Sequence, residues 1–173
     1  HLLWQLFTQP IKIYKRRIKM NKVAGTFRII ENWKFERVNH DTQELIDTQE
    51  FCNTIVNDGL ERVARLINGN SSTYFRAIAI GTGANAATNS DAALQTEVAR
   101  ASATLTYEAS YKAKFAHTFV FASGVTHTIT EAGLFDSATV SGSKMLARTT
   151  FTGKEVSVDV DLIVTATITV ARV

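Results

Sequence analysis

A long alternation of apolar and other residues near the carboxyl end constrains the fold more than any other feature of the chain. Between Val156 and Val170 every second residue is apolar, and Val, Ile and Thr dominate both faces. Period two with these residue types is typical of a β-strand that has one buried face. A strand of this length would span about 50 Å, so we expect a bend or bulge near Asp161 that divides it into two.

Shorter alternations of the same kind occur throughout the sequence. They predict strands at 26–38, 74–80, 101–109, 111–121, 126–135 and 144–151. Gly124, Gly142 and Gly153 lie between or beside these runs and are predicted to mark turns.

One segment has a helical period instead. Its predicted core stripe consists of Phe51, Ile55, Leu60, Val63 and Ile67. Asp47 and Glu50 are spaced as a capping box, and Asn68-Gly69 supplies a stop signal, so we predict a helix over about residues 48–68. A shorter helical turn is predicted at 91–100. The Gly at position 59 inside the helix suggests close approach of helix and sheet.

Together these elements predict a mainly β protein, an antiparallel β-sandwich with one packed α-helix. Residues 20–173 are predicted to form this single domain, and residues 1–19 a separate N-terminal segment. The chain has one Cys and one Pro, which excludes a disulfide scaffold. It lacks the run of about 18 apolar residues that a membrane helix needs.

The charge is concentrated in the N-terminal segment. Its basic residues are Lys12, Lys15, Arg16, Arg17 and Lys19, and it has no acidic residue. The whole chain carries +3, so the predicted domain itself is slightly acidic. A nucleic-acid-binding protein would carry its basic patch on the fold, so nucleic acid is not an expected partner.

Three interpretations of residues 1–19 remain open. The segment is a non-native leader upstream of a natural start at Met20, an arm that packs on a neighbouring subunit, or a weak membrane-surface anchor. The apolar residues precede the basic run, which is the reverse of a secretory signal.

The sequence GTGANA at 81–86 matches a dinucleotide-binding pattern formally. In a true site the loop opens directly into a helix, whereas here further loop residues follow. We interpret it as a glycine turn leaving a strand, and we expect no cofactor.

Other polar residues also have plain structural explanations. His117, His127, Glu131 and Asp136 lack the spacing of a metal site, and we expect no metal. Cys52 has no local histidine and is expected in the core. No catalytic residue is expected.

Two acidic features of predicted strands need a physical explanation. Asp159 and Asp161 are expected on an exposed strand face that they keep soluble. Glu131 lies among apolar neighbours and must be satisfied by partners, for which Arg100 and Arg148 are the candidates.

The order of short motifs resembles that of small virion structural proteins of tailed bacteriophages, of the tail-fibre, collar or tail-associated type. The motifs are NDGL at 57–60, IAIGTG at 78–83, LQTE at 94–97 with Arg100, ITEAGLF at 129–135 and LARTTF at 146–151. The resemblance covers roughly residues 50–171. It implies a non-enzymatic building block of a virus particle, located in the virion as part of the tail, collar or neck, or fibre attachment.

Such a subunit would have copies of itself and other virion proteins as partners, without a membrane. The flat, Thr-rich face of the last strand and the aromatic residues of the first predict a homo-oligomer, in a ring or trimer. The predicted interface comprises Phe27, Ile29, Trp33, Phe35, Ile163, Thr165, Thr167 and Thr169.

Alternative functions place different demands on the structure. A module that binds a host-surface receptor or glycan would need exposed aromatic residues such as Trp33, Tyr107 or Tyr111. A capsid decoration protein fits the same sandwich. A polymer hydrolase would need two carboxylates about 5–9.5 Å apart in a cleft.

Overall fold

The computed structural model describes residues 27–172, which form ten strands and one helix. The predicted segment 1–19 and the first residues of the predicted domain lie outside the described residues. The elements are β1 (Phe27–Asn39), β2 (Leu45–Cys52), β3 (Thr54–Ile55), α1 (Asn57–Ile67), β4 (Ala77–Gly81), β5 (Glu97–Ser102), β6 (Thr104–Glu108), β7 (Lys112–Phe119), β8 (His127–Phe135), β9 (Met145–Val156) and β10 (Val160–Arg172).

The strands form two antiparallel five-stranded sheets that pack face to face, as the sequence predicted. Sheet A has the order β2-β1-β10-β7-β6, and sheet B has the order β3-β9-β8-β4-β5. At each lateral edge of the sandwich, a single residue connects an edge strand of one sheet to an edge strand of the other. These residues are Asn53, between β2 and β3, and Ala103, between β5 and β6.

The core lies between the sheets and is rich in aromatic side chains. Trp33 and Phe35 of β1 are fully buried, and the Phe35 ring lies 4.2 Å from that of Phe151, centroid to centroid. Fully burying one such side chain contributes about 1.5–3 kcal/mol. Because Trp33 and Phe35 belong to this core, their prediction as interface residues is wrong.

The C-terminal alternation forms one continuous strand, β10, with a tight turn before it, so the predicted division of this segment into two strands is wrong. β9 ends at Val156, β10 begins at Val160, and a tight turn separates them. Asp161 is 2% exposed and its carboxylate lies 3.0 Å from Nδ1 of His40. The prediction that Asp161 lies on an exposed face is therefore wrong, whereas Asp159 is exposed.

The helix begins at Asn57, much later than residue 48. Asp47 belongs to β2 and pairs with Arg37 at 2.7 Å, so it is not a helix cap. Val56 occupies the cap position without a side-chain cap bond, and its N–H donates to the carbonyl of Leu146 at 3.0 Å. Neighbouring strands thus fix the start of the helix.

Only part of the predicted helix stripe faces the core. Phe51 lies in β2 and Ile55 in β3, while Leu60 and Ile67 are 50% and 73% exposed. Val63 packs against the core.

The close approach predicted at Gly59 is present. A Cβ there would overlap the backbone of Leu146 in β9, so the helix lies directly on sheet B. Salt bridges also connect the helix to the region around the β8–β9 turn, from Arg62 to Asp136 at 2.7 Å and from Asp58 to Lys144 at 2.8 Å.

Two further local predictions are wrong. Residues 91–100 contain no helical turn and instead lead into β5. Gly153 lies within β9, whereas Gly124 and Gly142 adopt left-handed conformations in turns, with φ of 78° and 73°.

Candidate functional site

Glu131 in β8 is fully buried and lies at the centre of a polar network. Its Oε1 accepts hydrogen bonds from the backbone N–H groups of Gly83 at 3.0 Å and Thr96 at 2.7 Å. Its Oε2 accepts one from the N–H of Gln95 at 3.0 Å and another from Nε of Arg148 at 2.9 Å. The carboxylate therefore has the partners that a buried charge requires.

Arg148 of β9 extends the network to the loop between β4 and β5. Besides Glu131, its guanidinium binds the Asp91 carboxylate at 2.8 Å and the Asn85 carbonyl at 3.1 Å. Burial alone would raise the pKa of Asp91, but hydrogen bonds from Thr88 and Arg148 outweigh it and hold that pKa below its usual range. The network fastens loop residues 82–96 to sheet B.

The network also explains the glycines of the GTG motif. A Cβ at Gly81 or Gly83 would overlap the Glu131 carboxylate, and at Gly81 it would also meet the Thr96 carbonyl. The glycines let the loop backbone approach the carboxylate closely. This geometry accounts for the motif without a nucleotide.

Arg100, the second proposed partner of Glu131, instead pairs with Glu97 at 2.6 Å and stacks over Phe135 with its guanidinium carbon 3.6 Å from the ring centroid. It also donates to Ser143 Oγ at 2.7 Å. Glu131 thus takes one of its two suggested partners, and Arg100 fastens the β8–β9 turn separately.

The residues considered for metal or thiol chemistry lie apart. His117 packs edge-on against Phe119, and His127 lies near Phe121. Among residues 27–172 no group of three or more His, Cys, Asp or Glu side chains is placed to hold a metal ion. Cys52 is exposed, so its predicted core position is wrong.

Glu31 is a further buried acid, which the sequence did not single out. It lies on the inner face of β1, where Asn53 Nδ2 donates to its Oε2 while its Oε1 has no partner among the described residues. Nε1 of the neighbouring Trp33 is likewise buried without a partner there. Burial raises the pKa of Glu31 to about 8, and the Asn53 bond only partly opposes this.

The remaining predicted interface residues occupy sheet A. Phe27 is 57% exposed and Ile29 half-buried. On the outer face of β10 the half-buried residues are Ile163, Thr165, Thr167 and Thr169.

An exposed apolar surface lies at one end of sheet A and was not recognised from the sequence as a unit. Tyr107 and Tyr111 are 74% and 72% exposed, and Leu105, Val170 and Phe27 are also exposed. Edge strand β6 bonds only to β7, so its other side is open within the described fold. The alternating pattern identified these side chains as strand residues. It could not show that sheet B ends before it covers them, which is why they are exposed.

Comparisons of the chain with protein families, curated proteins and solved structures found no match. In the described part of the chain, no helix has the length and apolar character needed to cross a membrane.

Proposed function

We propose that this chain is a non-enzymatic structural subunit of a tailed-phage virion, which assembles through the edges and faces of its β-sandwich. The observation that carries the proposal is the open edge of β6, whose residues Thr104 to Tyr107 are all exposed. An open, β-prone edge beside exposed aromatic side chains is normally protected or paired with another chain.

The motifs behind the phage resemblance support the same proposal. The glycines of the GTG motif, Glu131 and Arg148 belong to one network that builds the fold. The polar groups of Glu131 and Arg148 are directed to each other, to Asp91 and to backbone groups of the loop. A subunit selected for rigid assembly would use its motif residues in this way.

Solution mass provides the first test. We expect light scattering at micromolar concentration to report a homo-oligomer, and Thr104→Lys to shift it toward the monomer by placing a charge on the β6 edge. Thr48→Lys, which alters an exposed threonine of the opposite edge strand β2, is the matched control. A stable monomer, or equal effects of both variants, would contradict assembly through β6.

The virion assignment needs a separate measurement. Labelled protein, or an antibody against it, should decorate phage particles at a defined position in electron micrographs. Particles that contain none of the protein would overturn the assignment, whatever its mass in solution.

A second candidate is a receptor- or glycan-binding module. Tyr107 and Tyr111 are exposed as sugar stacking requires, although Trp33 is buried and not available for it. Glycan titration followed by changes in tyrosine signals would support this alternative if Tyr107→Ala abolished them.

A further inference from the structure

An apolar groove of about 410 Å³ opens between sheet A and the helix. One wall is the inner face of sheet A, with Ile29, Leu105 and Tyr107. The opposite wall includes Val63 of α1 and Tyr74 of the segment after it. Lys114 is the one charged residue among the described lining residues, and its ammonium pairs with Glu108 at 3.5 Å.

The groove exists because sheet A extends beyond the elements that cover it. Directly paired residues share a face, so the pairs Leu105–Phe115 and Tyr107–Ala113 continue the inner face toward this end. Phe115 is 8% exposed, whereas Leu105 is 44% and Tyr107 74% exposed. Covering this surface would be favourable by about 25 cal/mol for each Å² of apolar area.

The chain enters sheet A at this end. β1 begins at Phe27, close to Ile29 in the groove wall, and Phe27 pairs with Arg172 near the end of β10. Residues 1–26 precede Phe27, so the chain tethers the side chains of this segment close to the opening of the groove.

The sequence of these preceding residues matches the groove in polarity. Five large apolar residues, called here the apolar cluster, lie close together in the sequence: Leu2, Leu3, Trp4, Leu6 and Phe7. Among the described lining residues there is no acidic side chain that could pair with the basic run at 12–19. The apolar cluster is therefore the better occupant, with the charges left in water.

We propose that the apolar cluster at residues 2–7 seats in the groove of its own subunit. Residues 8–26 connect the cluster to β1, and closing a loop of this length costs little more than closing a shorter one. A tethered segment also has an effective concentration in the millimolar range, which favours its own groove over that of another copy. The inference goes beyond the proposed function: seating the cluster would cover the side chains of Leu105 and Tyr107, while the backbone edge of β6 would stay open for assembly.

The two tryptophans permit a direct test in the full chain, since Trp4 is in the cluster and Trp33 is in the core. In the Trp33→Phe variant Trp4 is the one remaining tryptophan, so the tryptophan fluorescence reports the environment of Trp4 alone. We expect blue-shifted emission and several-fold weaker acrylamide quenching than for a free tryptophan amide. If Trp33→Phe does not fold, the difference between the wild-type chain and Trp4→Phe gives the same quantity.

A second substitution assigns the shielding to the groove. Leu105→Glu should release Trp4 to quencher, whereas Leu45→Glu, at a similarly exposed leucine on β2, should not. Quenching of Trp4 like that of the free amide, or shielding unchanged by Leu105→Glu, overturns the proposal. Shielding that disappears on dilution would assign the groove to another copy's segment and overturn it as well.

Discussion

Replacing Glu31 by Gln should remove a large pH dependence of stability. Glu31 is fully buried between the sheets, its pKa is raised to about 8 by burial, and its one side-chain bond comes from Asn53. Gln keeps the shape and an oxygen that accepts the Asn53 bond, but it cannot ionise. The substitution therefore isolates the cost of a buried charge.

The magnitude follows from linkage. The pKa of Glu31 is about 8 in the folded chain against an ordinary value of 4.5. Between these values the folded state keeps a proton that the unfolded state has released, so stability decreases as pH rises. Each pH unit lowers the free energy of unfolding by up to about 1.4 kcal/mol, so the loss between pH 4.5 and about pH 8 is at most roughly 5 kcal/mol.

Urea unfolding followed by circular dichroism, from about pH 5 to about pH 8, measures this dependence. We expect the free energy of unfolding of the wild-type chain to decrease by several kcal/mol relative to Glu31→Gln over that range. Glu44→Gln, at an exposed acid, is the control and should follow the wild type. If Glu31→Gln and wild type had parallel pH profiles, Glu31 would not hold its proton in the folded state.

Four other substitutions test the packing and the network. Arg148→Met leaves the buried Glu131 without its charged partner, and chemical denaturation should show a loss of about 3–5 kcal/mol. Gly83→Ala forces a methyl group against the same carboxylate and should lower the denaturation midpoint by the equivalent of about 1–3 kcal/mol. Leu60→Ser, at an exposed helix position, should change the free energy of unfolding by no more than about 0.5 kcal/mol. Leu146→Ala, in the core, should lower it by about 2–5 kcal/mol. Equal losses of stability in the two variants would refute the assigned helix orientation.

The strands were predictable because their alternation reports burial directly. The inner face of β1 follows the apolar positions, with Trp33 and Phe35 in the core. The same reasoning required partners for Glu131, because an acid between apolar neighbours must be satisfied. It could not choose between two arginines, since that choice depends on the register of β8 with β9.

The helix start was not predictable from spacing. Phe51 and Ile55 fit a helical stripe, but Phe51 lies in the second strand of the β1–β2 hairpin and Ile55 in β3. That hairpin turns without glycine: the Asn39 side chain accepts the N–H groups of Asp41 and Thr42, and Gln43 adopts a φ of 57°. Without a glycine signal the turn is not recognised, and the predicted helix at 48–68 therefore includes the later part of β2.

The single-residue crossings at Asn53 and Ala103 join the two layers covalently at both lateral margins. Sliding of one layer past the other would strain both connections at once. Opening at the strand ends avoids this strain, so we expect slow breathing of the molecule to begin there. Amide hydrogen exchange should accordingly be fastest at the strand termini and slowest midway along β8 and β10.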